Sequence, residues 1–156
     1  MRDRLVGRWR LQSWTAHSAG GGIVHPFGER VQGSLMYTPG GWMSVQIAAA
    51  DRGGSPCDEQ LDFPGAAEYP RYLAYCGTYR VEDGIVLHDV AMSLSPAWVG
   101  TRQVRRCELA GDVLVLRTVA AADGPGPGNE LRWLREEAMS LDGPAPQYWV
   151  KGRDIW

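Results

Sequence analysis

Short runs of alternating apolar and polar residues, cut at close intervals by turn-forming clusters, set the tightest limit on what this chain can build. A side-chain period of two belongs to a strand with one buried face. The breaks at "AGGG" (19–22), "TPGG" (38–41), "EDG" (82–84), "AGD" (110–112) and "DGPGPGN" (123–129) leave room for strands and little else. Eight runs fit the pattern, near 7–17, 31–38, 42–48, 75–82, 85–94, 102–109, 113–120 and 130–136. They predict an all-β antiparallel fold, either a sandwich or a closed barrel. "DRLVG" offers one helical turn ahead of the first strand, and Pro64 and Pro70 interrupt a second helical candidate that Asp58 could cap. Residues 49–72 therefore read as a long connection, with room for helical pieces, across one end of the sheet.

The chain of 156 residues, 44% of them hydrophobic, suits one domain with a single core. It divides into a strand-rich body over 1–136 and an extension over 137–156, whose Tyr148, Trp149 and Trp156 should pack on that body or on a partner. A net charge of −2 with scattered basic residues lacks the stripe that phosphate neutralisation needs, so nucleic acid is not an expected partner. No signal-peptide pattern or membrane-length apolar run is present, and Cys57, Cys76 and Cys107 lack metal-site or disulfide spacing. A cytoplasmic location, free thiols and no membrane association are expected. Seven Trp and six Tyr against two Phe give the chain many rings with a polar tip, which suit sheet packing and also the rim of a wet pocket.

Side chains alternate across a strand, so the less charged face of each run should look inward. This rule sends Trp9, Leu11 and Ser13 inward in the first run, Met43, Val45 and Ile47 in the third, and Tyr75, Gly77, Tyr79 and Val81 in the fourth. It likewise selects Val86, His88, Val90, Met92 and Leu94, then Gln103, Arg105, Cys107 and Leu109, and finally Leu131, Trp133 and Arg135. An inward arginine keeps its charge, and burial without a partner costs several kcal/mol, so an anion or strong acceptor must meet it.

Five segments in order, "LVGRWRLQSW" (5–14), "PFGERVQGSLMYTPGGWMSVQI" (26–47), "YLAYCGTYRV" (72–81), "HDVAMSLSPAWVGTRQVRRCEL" (88–109) and "LRWLRE" (131–136), resemble the lipocalin-like domain family of small bacterial and fungal proteins. The resemblance implies a single eight-stranded lipocalin-like β-barrel, calyx-shaped, with a cavity for a small and largely apolar molecule. It also implies that Gly7 and Trp9 open the first strand with Arg135 lying across the tryptophan at the closed end, a structural cation–π contact. Members occur in secondary-metabolite pathways, where barrels of related shape act as cofactor-free cyclases.

His88 and Arg105 are the catalytic candidates. His88, with an ordinary pKa near 6.5, could exchange a proton with a bound carbonyl or enol, and its structural alternative is a hydrogen bond within a buried network. Arg105 could hold an oxyanion, and its alternative is an ion pair with Glu29 or Glu130. The ligand-binding candidates are Tyr75, Tyr79, Gln103, Trp98, Met92, Tyr37, Trp42 and Val45. The aromatic ones have packing alternatives: Tyr75 and Tyr79 in the sheet with their tips at the rim, Trp98 as a loop staple, and Tyr37 with Trp42 as a cross-strand pair about the Pro39–Gly41 turn. Neither glycine cluster is a phosphate loop, and no metal or nucleotide motif is present, so no cofactor is expected. The chain is read as a cofactor-independent cyclase or isomerase acting on an oxygenated, polyketide-type intermediate, with a non-catalytic carrier for a hydrophobic metabolite as the alternative. Exposed aromatics leave room for a homodimer.

Overall fold

A computed structural model describes residues 1–18, 21–50, 71–119 and 128–136. A single helical turn, α1 (Arg2–Leu5), precedes nine strands: β1 (Gly7–His17), β2 (Ile23–Val24), β3 (Val31–Tyr37), β4 (Trp42–Ala49), β5 (Tyr72–Glu82), β6 (Ile85–Ser93), β7 (Arg102–Ala110), β8 (Val113–Thr118) and β9 (Asn129–Glu136). Eight of them, all but β2, pair antiparallel in sequence order, and β9 returns to β1 through partners from Arg8–Glu136 to Ala16–Asn129. That last pairing closes the barrel and leaves no long edge unpaired. The two-residue β2 adds to the end of β1 and escaped the sequence pattern because so short a run has no readable period. The expected eight runs coincide with the barrel strands to within a few residues. No helix among the described residues is long and apolar enough to cross a membrane. The extension 137–156 and most of the connection 49–72 lie outside the described residues.

The barrel has a closed and an open end. The turns at 38–41, 83–84 and 111–112 gather at the closed end together with α1. There the Trp9 indole N–H donates to the Leu5 carbonyl at 2.8 Å, and the Arg135 guanidinium lies 4.1 Å above the Trp9 ring. Arg135 also donates to the carbonyls of Val6 and Arg4, so one side chain ties the last strand to the entry of the first. Leu5, Trp9, Leu35, Tyr37, Val86, Leu114 and Trp133 are almost wholly buried and form the heart of the core. The open end carries the 94–101 connection and the flanks of the 51–70 segment, Ala50 and Arg71. Cys107 is a buried free thiol and Cys76 a half-buried one.

Two one-residue irregularities overturn parts of the face assignment. In β1 the register shifts between Leu11 and Ser13, so Gln12 is the extra residue. Beyond it Trp14 and Ala16, not Ser13, take the inward face. In β6 the register shifts where Cys76 pairs with Met92 but Gly77 pairs with Val90, so Ala91 is the extra residue. The inward alternation of Val86, His88 and Val90 ends there. Met92, expected to line the lumen, is 69% exposed on the outside, and Leu94 is 45% exposed. A bulge places two residues opposite one and reverses the parity beyond it.

Gly77 explains why the bulge fits. A Cβ built at this position would lie 1.9 Å from the Asp89 carbonyl oxygen, a backbone atom that cannot move aside alone. Gly77→Ala should therefore cost about 3 kcal/mol, at the upper end for overpacking. Urea unfolding should show a lowered midpoint, and a midpoint equal to that of the wild type would contradict this account of the bulge.

Candidate functional site

Above the floor, the barrel encloses a cavity of about 520 Å³, inside the range of about 300–1,000 Å³ usual for small-molecule sites. Its wall is mainly apolar, with Leu35, Val45, Ile47, Leu73, Leu116 and Leu131 among its residues, and Trp14, Trp98 and Trp133 supply aromatic surface. The polar side chains are few: His88, Tyr75, Gln103 and Arg105, with Arg102, Thr118 and Asn129 towards the mouth.

Strand pairing brings the polar set together. His88 on β6 sits opposite Tyr79 on β5 and Gln103 on β7, while Arg105 pairs with Val86 and Thr118. His88 is 1% exposed, and both its ring nitrogens are engaged: Nε2 by the Tyr37 hydroxyl at 2.8 Å and Nδ1 by the Tyr75 hydroxyl at 2.9 Å. Burial, reinforced by the nearby Arg105 charge, drives its pKa from 6.5 to about 3, so the imidazole is neutral at physiological pH. Burial also raises the pKa of Tyr37 and of Tyr75, in both cases against an opposing pull from Arg105. The Tyr37–His88–Tyr75 chain is thus an uncharged hydrogen-bonded unit.

Arg105 is half-buried. Its guanidinium donates to the Val104 carbonyl at 2.9 Å and to Gln103 Oε1 at 3.2 Å, and no carboxylate among the described residues pairs with it. Glu130, one of the pairing alternatives, instead accepts from Arg117 at 2.8 Å. Other acceptors along the wall are occupied: Asn129 Oδ1 receives the Trp14 indole N–H at 2.8 Å, and Thr118 Oγ1 receives the Asn129 backbone N–H at 2.8 Å. The Trp133 indole N–H, by contrast, is buried without an acceptor among the described residues. The wall therefore presents an excess of donors.

Of the residues expected from sequence, His88, Arg105, Tyr75, Gln103, Trp98 and Val45 meet at this cavity. Trp98 reaches it from the turn at Pro96–Trp98 and packs edge-on against Tyr75, with centroids 5.7 Å apart. Four do not line it. Met92 is outside for the reason given above, and Trp42 is 60% exposed on the outer face of β4. Tyr37 and Trp42 are not a cross-strand pair, since Tyr37 sits opposite Met43. Tyr37 lies beneath the cavity, reaching it only through His88, and Tyr79 packs on Tyr37 and donates to the Thr38 carbonyl at 3.0 Å. Trp14, Leu131 and Trp133 were missed as lining residues. The bulge at Gln12 hid the first, while the inward face of β9 already pointed to the other two.

The lipocalin-like domain family model matches residues 6–135. The chain belongs to the lipocalin-like domain family. It is similar to the 4'-hydroxy-3'-methoxypropiophenone carrier protein ppsC of Aspergillus oryzae, with 36% identity over 91 residues, which span 49% of this chain and 79% of that protein. A solved lipocalin-like protein from Bacteroides uniformis aligns over 85% of this chain and 98% of its own length, at 13% identity and a TM-score of 0.47. Family membership accords with the closed barrel and with the Trp9–Arg135 contact at its floor.

The state of His88 has a measurable consequence. Its folded pKa of about 3 lies below the ordinary 6.5, so between these values the unfolded chain binds the proton more readily. The resulting stability is complete above pH 6.5 and is lost as pH falls towards 3, at up to about 1.4 kcal/mol per pH unit. Between pH 7 and pH 4.5 the wild type should lose about 2.5 kcal/mol more than His88→Gln, as measured by urea unfolding. Parallel losses in the two proteins would show that the histidine titrates normally.

Proposed function

We propose that this barrel binds and carries a small, largely apolar molecule bearing an anionic or strongly accepting oxygen, with an aromatic ketone or its phenolate as the fitting class. The observation that carries the reading is the half-buried Arg105 guanidinium on an apolar cavity wall, without a carboxylate partner among the described residues. A cation in that position is stabilised when a ligand brings negative charge or a good acceptor into the cavity. The unpartnered Trp133 N–H asks for the same ligand character. Flat aromatic walls from Trp14, Trp98 and Trp133 suit a ring. The relative from Aspergillus oryzae is named for carrying an aryl ketone that combines a ring, a carbonyl and an acidic phenol, which agrees with this chemistry.

The carrier reading has more support than the cyclase or isomerase reading. A general acid or base must offer a free nitrogen or a proton to the substrate and works best with a pKa near the operating pH. His88 has both nitrogens bound to tyrosines and a pKa near 3. Arg105 alone can orient and hold an oxyanion, and that is a binding role.

The test is calorimetric titration with 4'-hydroxy-3'-methoxypropiophenone, together with chromatography of the mixture over time. Binding with the ketone recovered unchanged is the expected outcome, and Arg105→Met should weaken binding of the phenolate by about tenfold or more, as for loss of a charge-assisted hydrogen bond. The same variant should bind the neutral skeleton propylbenzene within about twofold of wild type. Conversion of the ketone, or an equal effect of the variant on both probes, would overturn the reading.

A further inference from the structure

The two tyrosines that grip His88 differ in surroundings, and this difference fixes where a proton must point. A neutral imidazole has one N–H and one lone pair, so one tyrosine must donate to the ring and the other must accept from it. Tyr37 is 2% exposed, does not line the cavity, and has no hydrogen-bond partner among the described residues except His88 Nε2. If Tyr37 accepted from Nε2, its own hydroxyl proton would be buried without an acceptor, and such a group costs the full desolvation penalty. Tyr37 therefore donates to Nε2, and the ring proton sits on Nδ1.

That proton is directed at the Tyr75 oxygen, 2.9 Å away. The Tyr75 hydroxyl then cannot donate to His88, and its proton must find an acceptor elsewhere. Tyr75 is placed differently from Tyr37: it lines the cavity beside Trp98. No second acceptor for its hydroxyl occurs among the described residues, and an acceptor oxygen placed in the cavity would meet the proton. Each donor in the series polarises the next, which makes the terminal O–H a better donor than an isolated tyrosine.

We propose that Tyr75 is the specificity-determining residue of the cavity: with its oxygen occupied by His88 Nδ1–H, it presents its proton to the ligand and selects an acceptor oxygen such as a ketone carbonyl. Tyr37 and His88 act through it as positioning residues, setting the direction of the relay from beneath the cavity. This rests on the binding role proposed above and deepens it, since Arg105 alone would favour any anion, whereas Tyr75 adds a neutral, directional donor.

The experiment compares two probes of one skeleton, propiophenone, whose oxygen only accepts, and propylbenzene, which has none. Calorimetry on the wild type and on Tyr75→Phe should show the affinity for the ketone falling by about 5- to 12-fold, the upper half of the range for one neutral hydrogen bond. Propylbenzene should bind both proteins within about twofold, since its contacts are apolar. In parallel, nitrogen-15 NMR of the histidine-labelled wild type should show His88 with a protonated, pyrrole-type Nδ1 and a pyridine-type Nε2. This spectrum tests the relay even if the variant folds poorly. Equal change, or no change, for the two probes overturns the inference while leaving the binding role intact, and so does a spectrum with the proton on Nε2. Failure of the wild type to bind either probe removes the binding role and this inference together.

Discussion

The pairing of β9 with β1 is the constraint on which every other feature depends. A sheet of this length left open would offer two edges and an apolar face to solvent, and neither His88 nor Arg105 would have an interior to occupy. Closure turns the less charged face of eight strands into a lumen. The floor is made by groups that also fasten the two closing strands, since Arg135 belongs to β9 and its contacts, Trp9, Val6 and Arg4, belong to β1 or the turn before it. The cavity is therefore bounded below by the same interaction that seals the wall.

Within the lumen, polarity is distributed by depth. The charged guanidinium of Arg135 is confined to the floor, the uncharged Tyr37–His88–Tyr75 chain lies above it, and Arg105 lies with Gln103 on β7 at the level of the cavity. Burial keeps the middle layer neutral by lowering the pKa of the histidine and raising those of the tyrosines. A neutral layer can be dense in hydrogen bonds without the desolvation cost that an ion pair would carry at that depth. Among the described residues, the Arg105 guanidinium has no carboxylate partner and is thus left for the ligand to meet.

Most of the architecture was legible from the alternation of residues and the spacing of turns, because both are local consequences of a pleated strand with one buried face. The inward placement of His88, Gln103 and Arg105 followed from counting charges on the two faces of β6 and β7. Failures occurred where one extra residue changed the phase. Nothing in "RLQSWT" marks Gln12 as that residue, and "DVAMS" reads equally well without a bulge at Ala91. Only the opposing strand decides, and a contact between distant segments leaves no trace in either segment alone. Gly77 was the one available hint, since a glycine inside a strand often marks a bulge or a close approach. Trp42 failed for another reason: a tryptophan beside a turn suits a rim and an outer face alike. The role of Tyr37 as a donor from beneath was equally hidden, because it depends on which groups lack partners in three dimensions.

The bulge at Ala91 works as a phase shifter for the upper part of β6. Below it the strand turns Val86, His88 and Val90 to the interior; above it Met92 and Leu94 are turned out. Were the strand regular there, with Ala91 held in the ladder, Met92 and Leu94 would instead turn a thioether and an isobutyl group into the mouth beside Tyr75. Loss of Ala91 itself would leave Met92 opposite Cys76 and facing out, so the bulge lets the strand hold one extra amino acid while the side chains above it keep their faces. The rim of the cavity is thereby buffered against a change of one residue in the length of its own wall.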